Sequence, residues 1–110
     1  MITRFALFQG AIKSGQTDAF RAAVLERLVP LWRQFPGNTD VRVMFSEDRD
    51  EGAPEFPLIL AISYPDVGTM ESALDSPARF QSKDVTGEIV AEFFDGSIHH
   101  HVTQCHEFAR

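Results

Sequence analysis

Cysteine, basic charge and long apolar runs are all scarce in this 110-residue chain, and each scarcity excludes something. The one cysteine, Cys105, cannot close an internal disulfide, so the fold does not depend on an oxidising compartment and a cytoplasmic location is expected. Ten basic residues against sixteen acidic ones leave a net charge of −6, which repels phosphate backbones and anionic lipid surfaces. Neither nucleic acid nor a membrane is therefore expected as a partner. The longest unbroken aliphatic run, Leu58 to Ile62, is far shorter than the roughly 18 residues that suggest a membrane span. The opening stretch lacks a small-residue cleavage pattern and does not read as a signal peptide. No dinucleotide fingerprint or phosphate-binding loop is present, and no repeat or low-complexity tract divides the chain.

What remains is 44 % hydrophobic residues and ten phenylalanines, enough for one core and one domain over residues 1–110. Thr3 to Phe8 reads as a strand stopped at Gly10. From Thr17 the apolar residues Phe20, Val24, Leu28 and Leu31 recur at three- and four-residue steps, which predicts an amphipathic helix capped by Ser14 or Thr17. Pro30 should bend its last turn, and Pro36-Gly37 should end it. Val41 to Ser46 alternates like a strand with one dry face, and the uniformly apolar Phe56 to Tyr64 reads as an interior strand. The hydrophilic connection between them, with Glu47, Asp48, Asp50 and Glu51, does not match an EF-hand register and reads as a solvated loop. A second helical region starts at Tyr64-Pro65-Asp66 and restarts at Ser76-Pro77, a favourable cap and first helical residue. Phe80, Val85, Ile89 and Phe93 are its expected apolar side, Asp95-Gly96 its end, and Ile98 to Phe108 the last strand.

The order strand, helix, strand, strand, helix, strand predicts an α+β, ferredoxin-like antiparallel four-stranded sheet with both helices on one face. By parity the bare face carries Arg42, Met44, Ser46, Ile59, Ala61, Ser63, His99, His101 and Thr103, with Arg4, Ala6 and Phe8 assigned there from the first strand. This set is too apolar for exposure and too polar for a core, so its expected cover is the same face of a second copy.

The chain resembles the dimeric α+β barrel superfamily, and most nearly its small EthD-type proteins associated with ethyl tert-butyl ether degradation. The resemblance lies in the element order, in Pro36-Gly37, in Tyr64-Pro65-Asp66 through Ala73-Leu74-Asp75-Ser76-Pro77, and in Phe93-Phe94-Asp95-Gly96. It implies a homodimer whose sheets face one another. A cleft in each protomer, inside the barrel or between sheet and helices, would hold a small organic molecule. Activities in the superfamily include cofactor-independent monooxygenases, muconolactone isomerases, polyketide cyclases and haem-degrading enzymes, so the reaction stays open.

His99 and His101 stand on one side of the last strand, roughly 7 Å apart at the usual strand rise. They are the expected catalytic pair, because neutral imidazole can take and return a proton near neutral pH. The alternative is that both are wall residues. As a zinc site the pair lacks a third ligand, so neither a metal nor a cofactor is expected. Arg42 is the expected oxyanion partner, or else half of an ion pair between protomers. Met44, Ser63, Ala61 and Phe8 complete the expected ligand contacts. His100, of opposite parity, should sit against the helices as a hydrogen-bonded core residue, and Tyr64 belongs to the same helix-facing set. The function these residues suggest is binding of a small, largely apolar oxygenated molecule, with cofactor-independent acid/base chemistry. A non-catalytic binding protein and a haem-linked protein are the alternatives.

Overall fold

A computed structural model describes all 110 residues. Four strands, β1 (Ile2–Ile12), β2 (Asp40–Phe45), β3 (Leu58–Tyr64) and β4 (Phe94–Gln104), form one antiparallel sheet in the order β2-β3-β1-β4. The helices α1 (Thr17–Ala23), α2 (Val29–Trp32), α3 (Val67–Leu74) and α4 (Pro77–Phe93) complete the ferredoxin-like arrangement expected from the element order. No helix is long and apolar enough to cross a membrane.

The core sits between the helices and one sheet face, where Phe20, Val24, Leu28, Leu58, Tyr64 and Ile89 are fully buried. The even-numbered residues of β3 all point into it, opposite Val41, Val43 and Phe45 of β2. Burying a side chain of this size contributes about 1.5–3 kcal/mol, which is what fixes the register of a strand with one dry face. At one end of this layer Phe8, Phe20, Phe93 and Phe94 pack as a cluster, with Phe8 and Phe94 edge to face at 5.9 Å between ring centroids.

In the helices, local structure follows the punctuation with three differences. Asp66 and Ser76 cap α3 and α4 by accepting from the backbone N–H of Thr69 and Arg79, and Pro77 occupies the first helical position. The first helix is instead preceded by Gln16, with no side-chain cap from Ser14 or Thr17. Pro30 does not simply bend the last turn. The chain opens into a π-helical stretch over Val24–Leu28 just ahead of it, with the Val29 N–H reaching back five residues to the Val24 carbonyl. A proline cannot donate to the carbonyl four residues earlier and its ring crowds that group, so a wider turn accommodates it. The third difference is Phe80, which is half exposed rather than part of the core stripe.

The last strand begins at Phe94, immediately after α4, rather than at Ile98, and its pairing with β1 runs from Ile12↔Phe94 to Ile2↔Gln104. Gly10 and Gly96 face each other in that ladder. A Cβ on Gly10 would stand 2.2 Å from the Asp95 carbonyl oxygen, and one on Gly96 would stand 2.1 Å from that of Gln9. Only glycine permits this close approach, which carries the edge strand past the point where the sequence suggests a turn.

Candidate functional site

The sheet has two faces, and the expected ligand contacts divide between them. Residues with the parity of Leu60 and Ile62 face the helices, and this includes Arg4, Ala6 and Phe8 of β1 and Ile98 and His100 of β4. Arg4, Ala6 and Phe8 therefore do not lie on the open face, and Phe8 is a buried core residue. The alternation of β1 carries no sign by itself: Phe5 and Leu7 on one side are as apolar as Ala6 and Phe8 on the other. Pairing with β3 decides it, because Ala6 lies opposite Leu60 and Phe8 opposite Leu58.

The other four expected contacts, Arg42, Met44, Ala61 and Ser63, do come together on the open face. They line a hollow of about 430 Å³ that the chain segment Gln104 to Glu107 borders. Its polar groups are already engaged. Arg42 pairs with Asp40 at 3.3 Å and Glu107 at 3.7 Å, so it is committed to ion pairs within its own chain. The Ser63 hydroxyl bonds that of Thr3 at 2.8 Å, and the Thr103 hydroxyl donates to the Thr3 carbonyl at 2.9 Å. His99 and His101 also belong to this face and are exposed, but neither lines the hollow. No group of three or more His, Cys, Asp or Glu side chains comes together anywhere in the chain.

The helix side holds a different kind of space. A cavity of about 330 Å³ lies between the sheet and the helices, and Phe8 of the phenylalanine cluster forms part of its wall. Phe8, Trp32, Phe35, Leu60, Ile62 and Ile98 supply its apolar wall. Arg79, Lys83, Thr86, Gly87 and Val90 come from α4 at three- and four-residue steps, so one helical stripe lines the cavity. A second stripe on the same helix, Ser82, Ile89 and Phe93, is buried. Gly87 keeps the lining stripe low, since a Cβ there meets no atom within 4 Å.

Six polar side chains stand in this lining without partners, Lys83 and Thr86 of α4 and four others. Tyr64 is buried from β3, Arg4 comes from an inner strand, Arg79 from α4, and His100 from the edge strand β4, where it borders the cavity as an exposed residue. Neither the Tyr64 hydroxyl nor the His100 ring hydrogen-bonds within the chain. The expectation of a hydrogen-bonded core histidine at position 100 thus fails. The side of the sheet is right, but the ring borders a cavity rather than a packed interior.

The electrostatics of these groups follow from burial and from one another. Burial lowers the His100 pKa to about 4, with the positive charges of Arg4 and Arg79 and the neighbouring His99 adding to the effect. His100 is therefore a neutral imidazole at neutral pH. Burial pushes the Tyr64 phenol above its ordinary value, against the pull of Arg4 and Arg79, so it is an intact hydroxyl able to donate. Burial and then the nearby Arg79 charge lower the Arg4 guanidinium from its ordinary value, although an arginine remains a cation throughout the physiological range. The signal for this constellation was present in the sequence as cationic residues at helical spacing, Arg79 and Lys83, beside Thr86 and Gly87. It was masked because the apolar stripe of the same helix could be satisfied without them.

No family model and no curated protein matches the chain. Solved structures do match its fold. An ethyl tert-butyl ether degradation (EthD) family protein of Bacillus halodurans aligns over 96 % of this chain and 99 % of its own at a TM-score of 0.77, with 18 % identity. SnoaB, a cofactor-independent oxygenase of Streptomyces nogalater, aligns over 97 % and 94 % at 0.65, with 14 % identity. A dimeric ferredoxin-like protein of unknown function from Jannaschia aligns over 94 % and 98 % at 0.64, with 17 % identity. At these identities the likeness is one of fold. The chain shares the ferredoxin-like α+β fold of these proteins, as the element order implied.

Proposed function

We propose that this protein binds a small, largely apolar oxygenated organic molecule in the cavity between sheet and helices, and moves a proton on it without a cofactor. The observation that carries the reading is the presence of two unpartnered groups, the Tyr64 hydroxyl and the neutral His100 imidazole, in the lining of one largely apolar cavity. Pockets of this composition take ligands whose body is apolar and whose few polar atoms are met by convergent groups. His100 accepts a proton from an acidic C–H or O–H of the ligand and becomes imidazolium. The electron pair left behind is delocalised onto the ligand oxygen, to which Tyr64 donates a hydrogen bond. Return of the proton to another ligand atom completes an enolisation or isomerisation and regenerates neutral His100. The fold shared with SnoaB, described as a cofactor-independent oxygenase, supports chemistry of this class.

The same reading assigns the open face to a second copy of the chain. Phe5, Leu7, Ile59 and Ala61 of the two inner strands lie there beside Met44, which is 41 % exposed. A homodimer covers them, and neighbours of the same fold are described as dimeric. His99 and His101 then face the partner subunit.

The test of the reaction uses 2-tetralone in D2O as the probe, with exchange of its C1 protons followed by NMR. The protein should accelerate exchange, and His100→Gln should reduce the acceleration roughly a hundredfold, the lower range for a positioned base, while the probe still perturbs Trp32 and Ile98 resonances. Perturbation with no catalysed exchange in the parent protein would support a non-catalytic binding protein instead. Exchange lost in His99→Gln or His101→Gln, and kept in His100→Gln, would return the chemistry to the open face.

A further inference from the structure

From the charge around the helix-side cavity we infer that its ligand carries an anionic oxygen group, a carboxylate or an ionised enol or phenol, held between Arg4 and Arg79 with Lys83 beside them. The inference rests on the reading of this cavity as a ligand site and adds the class of ligand.

The argument is one of local charge against global charge. The chain is acidic by six charges, yet the cavity lining contains three of its ten basic residues and none of its sixteen acidic ones. Elsewhere the arginines are either in ion pairs or, like Arg33 and Arg110, exposed to solvent, whereas Arg4 and Arg79 are part-buried. The ion pairs of the chain engage Arg21, Arg27, Arg42 and Arg49, and none engages Arg4, Arg79 or Lys83. Arg4 and Arg79 are close enough to raise each other's electrostatic cost, and neither has a counter-ion in the chain. Two partly buried cations of like sign are costly unless an anion meets them, and a guanidinium fork fits the two oxygens of a carboxylate. Exposed cations are solvated by water, but an acid-free lining with two part-buried, unpaired guanidiniums selects for a ligand that brings its own counter-charge.

Such an anion also affects the chemistry. The titratable groups that share the cavity lining with His100 are Arg4 from β1, Arg79 and Lys83 from α4 and Tyr64 from β3, and His99 is its neighbour in the chain on the opposite face. Neutralising the two arginines removes the charges that oppose imidazolium, so the bound ligand strengthens the base that acts on it. By linkage, raising the pH through the His100 titration then weakens anion binding.

Three probes of one shape separate the possibilities: 1-naphthoate, the neutral 1-naphthamide and the cationic 1-naphthylmethylammonium, each titrated calorimetrically at pH 7. The expected result is that 1-naphthoate binds at least tenfold more tightly than 1-naphthamide, and that 1-naphthylmethylammonium binds least. Arg4→Gln and Arg79→Gln should each remove most of that preference while leaving 1-naphthamide affinity within about twofold. Arg79 and Lys83 are on the outer helix, so Arg79→Gln and the double variant with Lys83→Gln serve if Arg4→Gln does not fold. Bound 1-naphthoate should also move the His100 ring titration to higher pH, a shift that 1-naphthamide does not produce. Equal affinity for naphthoate and naphthamide, both abolished by Gly87→Phe, would overturn the anion inference and leave the cavity as a ligand site. Binding of all three that Gly87→Phe does not affect, or no binding of any, would count against the cavity reading itself.

Discussion

The two faces of the one sheet use polar side chains in opposite ways. On the open face the polar groups around the hollow have partners in the chain, Arg42 with Asp40 and Glu107, Thr3 with Ser63, Thr103 with the Thr3 carbonyl, while His99 and His101 stand exposed outside it. On the helix face, Arg4, Tyr64, Arg79 and His100 surround an apolar hollow and have none. A face whose polar groups are already satisfied is ready to be covered by another surface. One whose polar groups converge unpaired on a space the size of a small molecule is ready to hold one. The difference also explains why the hollow on the open face, though larger, is the poorer ligand site: a ligand there must compete with existing ion pairs.

The largest expected effect breaks the open face. Phe5→Asp places a carboxylate in each half of the proposed dimer interface, and at about 3 kcal/mol or more it should weaken dimerisation over a hundredfold, measured by light scattering on a size-exclusion column. A parent protein that is monomeric at the same concentration contradicts the assignment of that face. Next in size, Gly87→Phe grows a ring from the lining stripe of α4 and should weaken 2-tetralone binding at least tenfold, about 1.4 kcal/mol. Arg42→Gln, on the other face, should leave that affinity within twofold. Comparable losses in both variants would erase the distinction between the faces.

A smaller effect is expected in pH dependence. The folded-state pKa of His100 lies below its ordinary value, so the unfolded chain takes up this proton first. Stability should be intact above about 6.5, the ordinary histidine value, and fall as pH drops toward 4, where the folded ring also protonates. Thermal unfolding followed across that window should show a steeper acid loss in the parent than in His100→Gln. Identical slopes would mean that the ring is not held neutral. The smallest effect is Gly87→Ala. A Cβ at this position meets nothing, so the variant should gain about 0.5–1 kcal/mol of helix stability in urea unfolding, and the natural glycine is then a concession to the space beside it.

Much of this could be read before the fold was known, and the omissions have physical causes. Ser76-Pro77 and Asp66 announce helix starts because their side chains serve the orphan N–H groups locally, whatever the rest of the chain does. The strand Leu58–Tyr64 is legible because it is buried on both faces. The parity of β1 was not, since its two faces are equally apolar and only pairing with Leu58 and Leu60 resolves them. That ambiguity carried Phe8 and Arg4 to the wrong face. The histidine triplet reads correctly as two residues outward and one inward. Its inward member looks inert until one knows that a cavity lined by Ala6 on the sheet and by Thr86 and Gly87 on α4 lies beside it. Empty space between elements leaves no periodic trace in the sequence of either one.

The central claim is that the ligand lies beneath the helices and not on the open face. Intermolecular nuclear Overhauser effects between bound 2-tetralone and the protein test it most directly, because the two sites share no side chain. Contacts to the Trp32 ring and to the Ile98 and Val90 methyl groups are predicted. Contacts to the Met44 and Ala61 methyl groups in their place would contradict it.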